Sequence, residues 1–207
     1  MTKRPPLRDG IPCTHPNGTE MRSGLELTWA FFFEALTWPW IYEPIELGGT
    51  PGYIPDFFLR FETRVSSPRR GDDQPLLVDI KPLHNRAEFA ARARELFERR
   101  LDWNREFFIG SYEIWEFDGG AVIGQFWSPE ILWSPDNLIH ERLWINSYAI
   151  VFDCSACGQR SIMSDCHSWH CRRCGVNSSD NVAVSFAEIK ALWVDAKNRA
   201  QWERGRE

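Results

Sequence analysis

The chain has 207 residues, 43% hydrophobic and 26% charged, which is enough for one substantial core and excludes a disordered or fibrous polymer. A formal net charge of −5 excludes holding nucleic acid by bulk charge alone, while leaving room for a local basic face. No apolar run reaches the length of a membrane span, and the basic start MTKRPPLRDG leads into polar, Pro-rich sequence in place of a signal peptide's apolar core, so a cytoplasmic chain with no membrane association is expected.

In chain order, RSGLELTWAFFFEAL predicts a helix over Arg22 to Leu36, with Leu25, Trp29, Phe32, Phe33 and Leu36 recurring at helical spacing. WIYEPIEL and YIPDFFLRF, divided by a Gly/Pro turn, predict a β-hairpin whose second strand runs from Tyr53 to Phe61. The polar stretch Glu62 to Pro75 reads as a loop. LLVDIKP is nearly continuous in apolar residues, as a central strand buried on both faces would be. Asn85 to Trp103 is periodic, opens with Asn85 and Glu88 at capping-box spacing and predicts a second helix. EFFIGSYEIWEF and AVIGQFW read as strands around Asp118-Gly-Gly. From Pro129 to Phe152 the apolar residues keep no clean period. Ser185 to Trp202 predicts a closing helix faced by Phe186, Ile189, Leu192, Trp193 and Ala196. These elements make an α/β core with a mixed sheet. The eleven tryptophans fit that core better than base-stacking platforms.

Two groups of residues carry chemistry. Cys154-Ser-Ala-Cys157-Gly and Cys171-Arg-Arg-Cys174-Gly are paired turns, each able to aim two thiolates at one ion, and together they predict a tetrahedral Zn²⁺ site of structural type. Cys166, His167 and His170 lie between the pairs, so one of them in place of a cysteine is the open alternative, and Cys13 reads as local packing or surface. The second group starts from Asp56, a carboxylate among Ile54, Phe57 and Phe58. Asp79 and Lys81 are two apart in a strand and so share one face. If the two strands are neighbours, Asp56 and Asp79 with the Ile80 carbonyl form an all-oxygen site for Mg²⁺ or Mn²⁺, and Lys81 stands beside it.

In this arrangement the chain resembles the PD-(D/E)XK nuclease superfamily. The resemblance rests on Pro55-Asp56 followed by Asp79-Ile80-Lys81, and on their order behind a helix carrying Glu26 and the Tyr42-Glu43-Pro44 strand. It is greatest toward phage and mobile-element members, with transposon-end endonucleases as neighbours. The resemblance implies a restriction-endonuclease-like core with a mixed central sheet flanked by helices, followed by a small four-cysteine zinc module and a C-terminal helix. It divides the chain into an extension at 1–21, a nuclease-like core at 22–128, and a segment at 129–207 carrying the zinc module and last helix. It further implies hydrolysis of DNA phosphodiester bonds by metal-activated water, with Asp56, Asp79 and Lys81 as the catalytic set and Glu26 as a further acid toward the metal. Asp79 stands where many such relatives have glutamate.

Local readings compete for some of these residues. Ser23 and Glu26 also stand at capping-box spacing, and Glu43 is either an outer acid of the site or a sheet-edge charge. Arg92, Arg94, Arg99, Arg100 and Arg105, with Arg172 and Arg173 in the second cysteine turn, are candidates for phosphate contact, although Glu88, Glu95, Glu98 and Asp102 interleave the first five. Two functions follow: a DNA endonuclease, acting as a homodimer or within a larger nucleoprotein complex, or a non-catalytic nucleic-acid-binding or scaffolding protein that keeps a nuclease-like core.

Overall fold

The computed structural model describes residues 12–44, 53–61, 76–85, 87–89, 91, 92, 95, 107–131, 142–164, 171–176 and 178–204. A small hairpin, β1 (Cys13–Thr14) and β2 (Glu20–Met21), leads into helix α1 (Gly24–Ala35). Strands β3 (Trp40–Tyr42), β4 (Phe57–Leu59), β5 (Leu76–Ile80), β6 (Phe107–Phe117), β7 (Gly120–Ile131), β8 (Arg142–Asp153), β9 (Arg160–Ser164) and β10 (Val182–Ala183) follow, and helix α2 (Phe186–Arg204) closes the chain. The main sheet runs β10-β8-β7-β6-β5-β4-β3, with β9 paired to β8. Its β5–β6 pair is parallel and the other pairs are antiparallel, so the sheet is mixed.

Ser23 caps α1 by accepting a hydrogen bond from the Glu26 N–H at 3.2 Å. Every residue from Glu26 to Phe33 is buried, a wider surface than the predicted stripe, because α1 is covered on more than one side. Trp29 meets Phe108 of β6 at 5.3 Å and Trp193 of α2 at 4.9 Å between ring centroids. Phe31 lies under the Arg199 guanidinium of α2 and beside His15 of the hairpin. Leu25, expected in the stripe, is only half-buried.

Strand β5 is buried along its whole length, as a continuous apolar run requires when both faces are covered. Leu76, Val78 and Ile80 join the layer under α1, whereas Leu77 packs with Tyr53, Phe58, Phe89, Phe107 and Ile109 on the other face. Asp79 shares the side of Leu77 by alternation. Gly110 on β6 allows this close packing, since a Cβ there would lie 2.5 Å from the Trp29 ring and 2.8 Å from Ile80.

Three expectations change. The strand expected from Tyr53 to Phe61 is ordered as a ladder only over Phe57–Leu59, because Pro55 lacks an N–H and Asp56 sits in a bend. The aperiodic stretch from Pro129 to Phe152 contributes the end of β7 and most of β8, which pair in continuous register from Gly124↔Ala149 to Ile131↔Arg142. The main sheet therefore continues past residue 128, and α2 packs back against α1. Of the second predicted helix, residues 87–89, 91, 92 and 95 are helical, and the rest lies outside the described residues, as do the loop at 62–75 and Cys166, His167 and His170.

Candidate functional site

Asp56 enters the site from the bend before β4, where its own N–H donates to the Val78 carbonyl at 2.9 Å. That bond sets its carboxylate against the end of β5. Oδ2 accepts the Ile80 N–H at 2.6 Å and the Lys81 ammonium at 2.9 Å, while Oδ1 accepts from the Arg22 guanidinium. Asp56 is fully buried, and these three donors explain how an apolar neighbourhood holds its charge.

Asp79, also fully buried, reaches the same ammonium: Lys81 Nζ lies 3.0 Å from Asp79 Oδ1 and 3.0 Å from the Ile80 carbonyl. Two carboxylates and one backbone carbonyl thus converge on a single positive centre. Arg92 Nε at 2.9 Å and the Tyr53 hydroxyl at 2.7 Å complete the surroundings of Asp79. Burial by itself raises the Asp79 pKa, but Lys81 and Arg92, with hydrogen bonds from Arg92 and Tyr53, outweigh it and hold the carboxyl well below the usual range. Burial likewise opposes the charge on Lys81, yet Asp79 and Asp56 prevail and raise its pKa, so it stands here as an ammonium.

Glu26 belongs to an adjoining group. Its Oε2 accepts the Arg22 N–H at 2.9 Å and the Tyr42 hydroxyl at 2.6 Å, and the Arg22 side chain lies between it and Asp56, with Glu43 Oε1 2.9 Å from Arg22 Nε. The capping box is therefore shifted by one residue, since the carboxylate reaches the N–H of Arg22 instead of Ser23. Glu88 repeats the shift on the second helix by accepting the His84 N–H at 2.7 Å. Burial first and the Asp56 charge second raise the Glu26 pKa, against the opposing effect of Arg22.

The structure brings Asp56, Asp79, Ile80 and Lys81 together as expected from the sequence, and places Glu26 one residue away, behind Arg22. Glu26, Asp56 and Asp79 do not converge within 4.8 Å of one another; among the described residues the four cysteines alone form such a group. The oxygens around Lys81 Nζ have the donor chemistry of a hard divalent cation site. Five carboxylates (Glu26, Glu43, Asp56, Asp79 and Glu95) pair with three cations (Arg22, Lys81 and Arg92). Arg22, Tyr42 and Tyr53 were missed in the sequence. The sequence carries little signal for them, since Arg22 reads as the first residue of a helix and the burial of its partners Glu26 and Asp56 comes only from the fold.

The second constellation is the cysteine group. Cys154 and Cys174 are 3.6 Å apart and Cys157 and Cys171 3.7 Å apart between sulfurs, too far for a disulfide and close to the roughly 3.8 Å edge of a tetrahedron with metal–sulfur bonds of about 2.3 Å. The two turns are built alike: the Gly158 N–H donates to the Cys154 carbonyl at 2.8 Å, the Gly175 N–H to Cys171 at 2.8 Å, and both glycines have positive φ, 64° and 73°. Burial opposes ionisation of Cys154, but the N–H groups of Cys157 and Ala156 aimed at its sulfur lower its pKa on balance. This group could hold a metal ion such as zinc, and among the described residues its four sulfurs supply all the ligands a tetrahedral site needs. It is no loose appendage, since Cys154 and Cys171 pack with Val122, Ile150, Phe152 and Met163 of the sheet. The arginines of the second turn face the protein: Arg172 lies over the Phe126 ring at 5.0 Å, and Arg173 donates to the Thr37 carbonyl.

Compared with protein-family models, curated proteins and solved structures, the chain matches none. Among the described residues no helix is long and apolar enough to cross a membrane.

Proposed function

We propose that the protein is a metal-dependent DNA endonuclease, with a restriction-endonuclease-like core and a structural Zn²⁺ on Cys154, Cys157, Cys171 and Cys174. The observation that carries this reading is the convergence of Asp56 Oδ2, Asp79 Oδ1 and the Ile80 carbonyl on one positive centre at 2.9, 3.0 and 3.0 Å. The same three groups would hold Mg²⁺ or Mn²⁺. Such an ion supplies a nucleophilic water at neutral pH and polarises a phosphoryl oxygen. Lys81, freed from the carboxylates, would keep its charge beside the phosphate and stabilise the negative charge that develops as a P–O bond breaks. Arg22 and Arg92 hold the outer oxygens of Asp56 and Asp79 and so fix the direction of the inner ones. Tyr53 donates to the inner oxygen of Asp79, Oδ1, and orients it directly.

A second reading has its own support. Asp56 and Asp79 are fully partnered by protein groups, as buried acids in a purely structural ion network would be. A nucleic-acid-binding or scaffolding protein would need nothing more. Incubation with supercoiled, linear, single-stranded and branched DNA in Mg²⁺, in Mn²⁺ and in EDTA separates the two. The nuclease reading expects metal-dependent cutting that Asp79→Asn abolishes while the variant stays folded. Cutting of no form in either metal, or equal cutting by Asp79→Asn, overturns it.

A further inference from the structure

On the face of the sheet that carries Asp79, a cavity of about 340 Å³ opens beside the end of β5, lined by Phe89, Trp115 and Tyr148 together with Ser111, Gln125 and His84. Its volume lies in the range of small-ligand pockets, about 300–1,000 Å³. Gln125 is the unexplained group in it. The residue is 1% exposed and its Oε1 accepts no hydrogen bond, whereas buried amide oxygens are nearly always paired. Its register opposite Ile109 on β6 and Tyr148 on β8 sets it on the cavity side of the sheet, where Ile109 packs with Phe89. Trp115 stands edge-on to Phe89 at 6.0 Å and to Tyr148 at 5.9 Å, so the cavity sets aromatic walls beside an amide oxygen that no donor reaches.

The backbone joins this cavity to the acids. Lys81 donates its N–H to the Gly110 carbonyl at 3.1 Å, and two residues later Leu83 donates to Ser111 Oγ at 2.9 Å. Two residues span at most about 7 Å, the scale of one nucleotide. We propose that the cavity receives an unstacked nucleobase of the strand whose phosphate meets Asp56, Asp79 and Lys81, an inference that rests on the nuclease reading. The base is one that sets an amino group beside an acceptor ring nitrogen, as adenine and cytosine do, because that pair matches both ends of a glutamine amide and the amino N–H satisfies Gln125 Oε1. Trp115 and Phe89 supply the apolar walls against which its ring lies.

Saturation-transfer NMR on the full chain, without divalent metal, tests this with adenosine 5′-monophosphate and ribose 5-phosphate as probes. Saturation of the adenine protons is expected, with none for ribose 5-phosphate. Gln125→Leu is expected to weaken nucleotide binding about tenfold, with a thermal midpoint that holds or rises because an unpaired polar group has been removed. Absent adenine saturation, equal signals from both probes, or unchanged affinity in Gln125→Leu overturns the proposal. Should Gln125→Leu fail to fold, the comparison of the two probes on the wild-type chain decides. DNA cleavage measured in parallel keeps the two readings apart. Cutting without nucleotide binding overturns the pocket alone, and Gln125-dependent binding in a chain that cuts no DNA upholds the pocket and overturns the nuclease.

Discussion

Tyr53 donates its hydroxyl to Asp79 at 2.7 Å across 26 residues of sequence, and both side chains are buried. The contact orders the carboxylate without contributing charge. Tyr53→Phe is therefore expected to cost about 1.5–3 kcal/mol, the scale for a hydrogen bond to a buried charged group. Urea unfolding at pH 7 measures it, and a loss under 0.5 kcal/mol would show that Asp79 is held without Tyr53.

The depressed Asp79 pKa has a direction in pH. Because its folded value lies below the unfolded one of about 3.9, Asp79 contributes stability that is present above that pH and lost as pH falls through the folded value. Wild-type stability should thus decline on acidification more steeply than that of Asp79→Asn. Parallel unfolding curves of the two chains from pH 6 down to pH 3 would contradict the ion pairs with Lys81 and Arg92.

Asp56→Ala should destabilise the fold strongly. The substitution leaves the Ile80 N–H unpaired and the Arg22 and Lys81 charges short of a partner, a break that costs about 3–5 kcal/mol in a buried network. Denaturation curves must therefore accompany any activity assay on this variant. A variant as stable as wild type would show that the network carries no energy.

Glu26 behaves in the opposite sense. Its raised pKa means that its contribution is fully present below the unfolded value of about 4.3 and is lost as pH rises through the folded value. Relative to Glu26→Gln, the wild type should lose stability as pH rises above about 4.3, while divalent affinity stays nearly unchanged because Glu26 is not among the oxygens around Lys81. A sharp loss of Mn²⁺ binding in Glu26→Gln would return the residue to the metal.

For the cysteine group the expected result is close to one Zn²⁺ per chain by elemental analysis. Removing it with a chelator, or Cys171→Ser, should loosen the β8–β9 hairpin and release Arg173 from Thr37. Near-ultraviolet circular dichroism reports the change, and an identical spectrum after complete metal removal would rule out a structural ion.

Much of this was legible because local chemistry and tertiary role coincide. The continuous apolar run of β5 could only be a covered strand, and its alternation put Asp79 and Lys81 on one face. The spacing of the cysteine turns encodes their geometry almost completely. Legibility failed where a residue's role is decided by distant partners. Arg22 reads as the first residue of a helix, yet it lies just outside α1, and folding places it between Glu26, Glu43 and Asp56. Pro129 argues against a strand on local grounds, but pairing with Trp144 in β8 carries β7 through it. Gln125 is unremarkable in AVIGQFW, and its significance comes only from the cavity beside it.

The most direct test of the account is electron paramagnetic resonance of Mn²⁺ titrated into the zinc-loaded chain, since the central claim is that the oxygens now around Lys81 Nζ form a divalent-cation site. The account predicts one bound Mn²⁺ per chain, lost in Asp79→Asn, in a variant shown by its unfolding curve to be folded. No stoichiometric Mn²⁺ in the wild type, or equal binding by Asp79→Asn, would contradict it and leave the acids as a structural ion network.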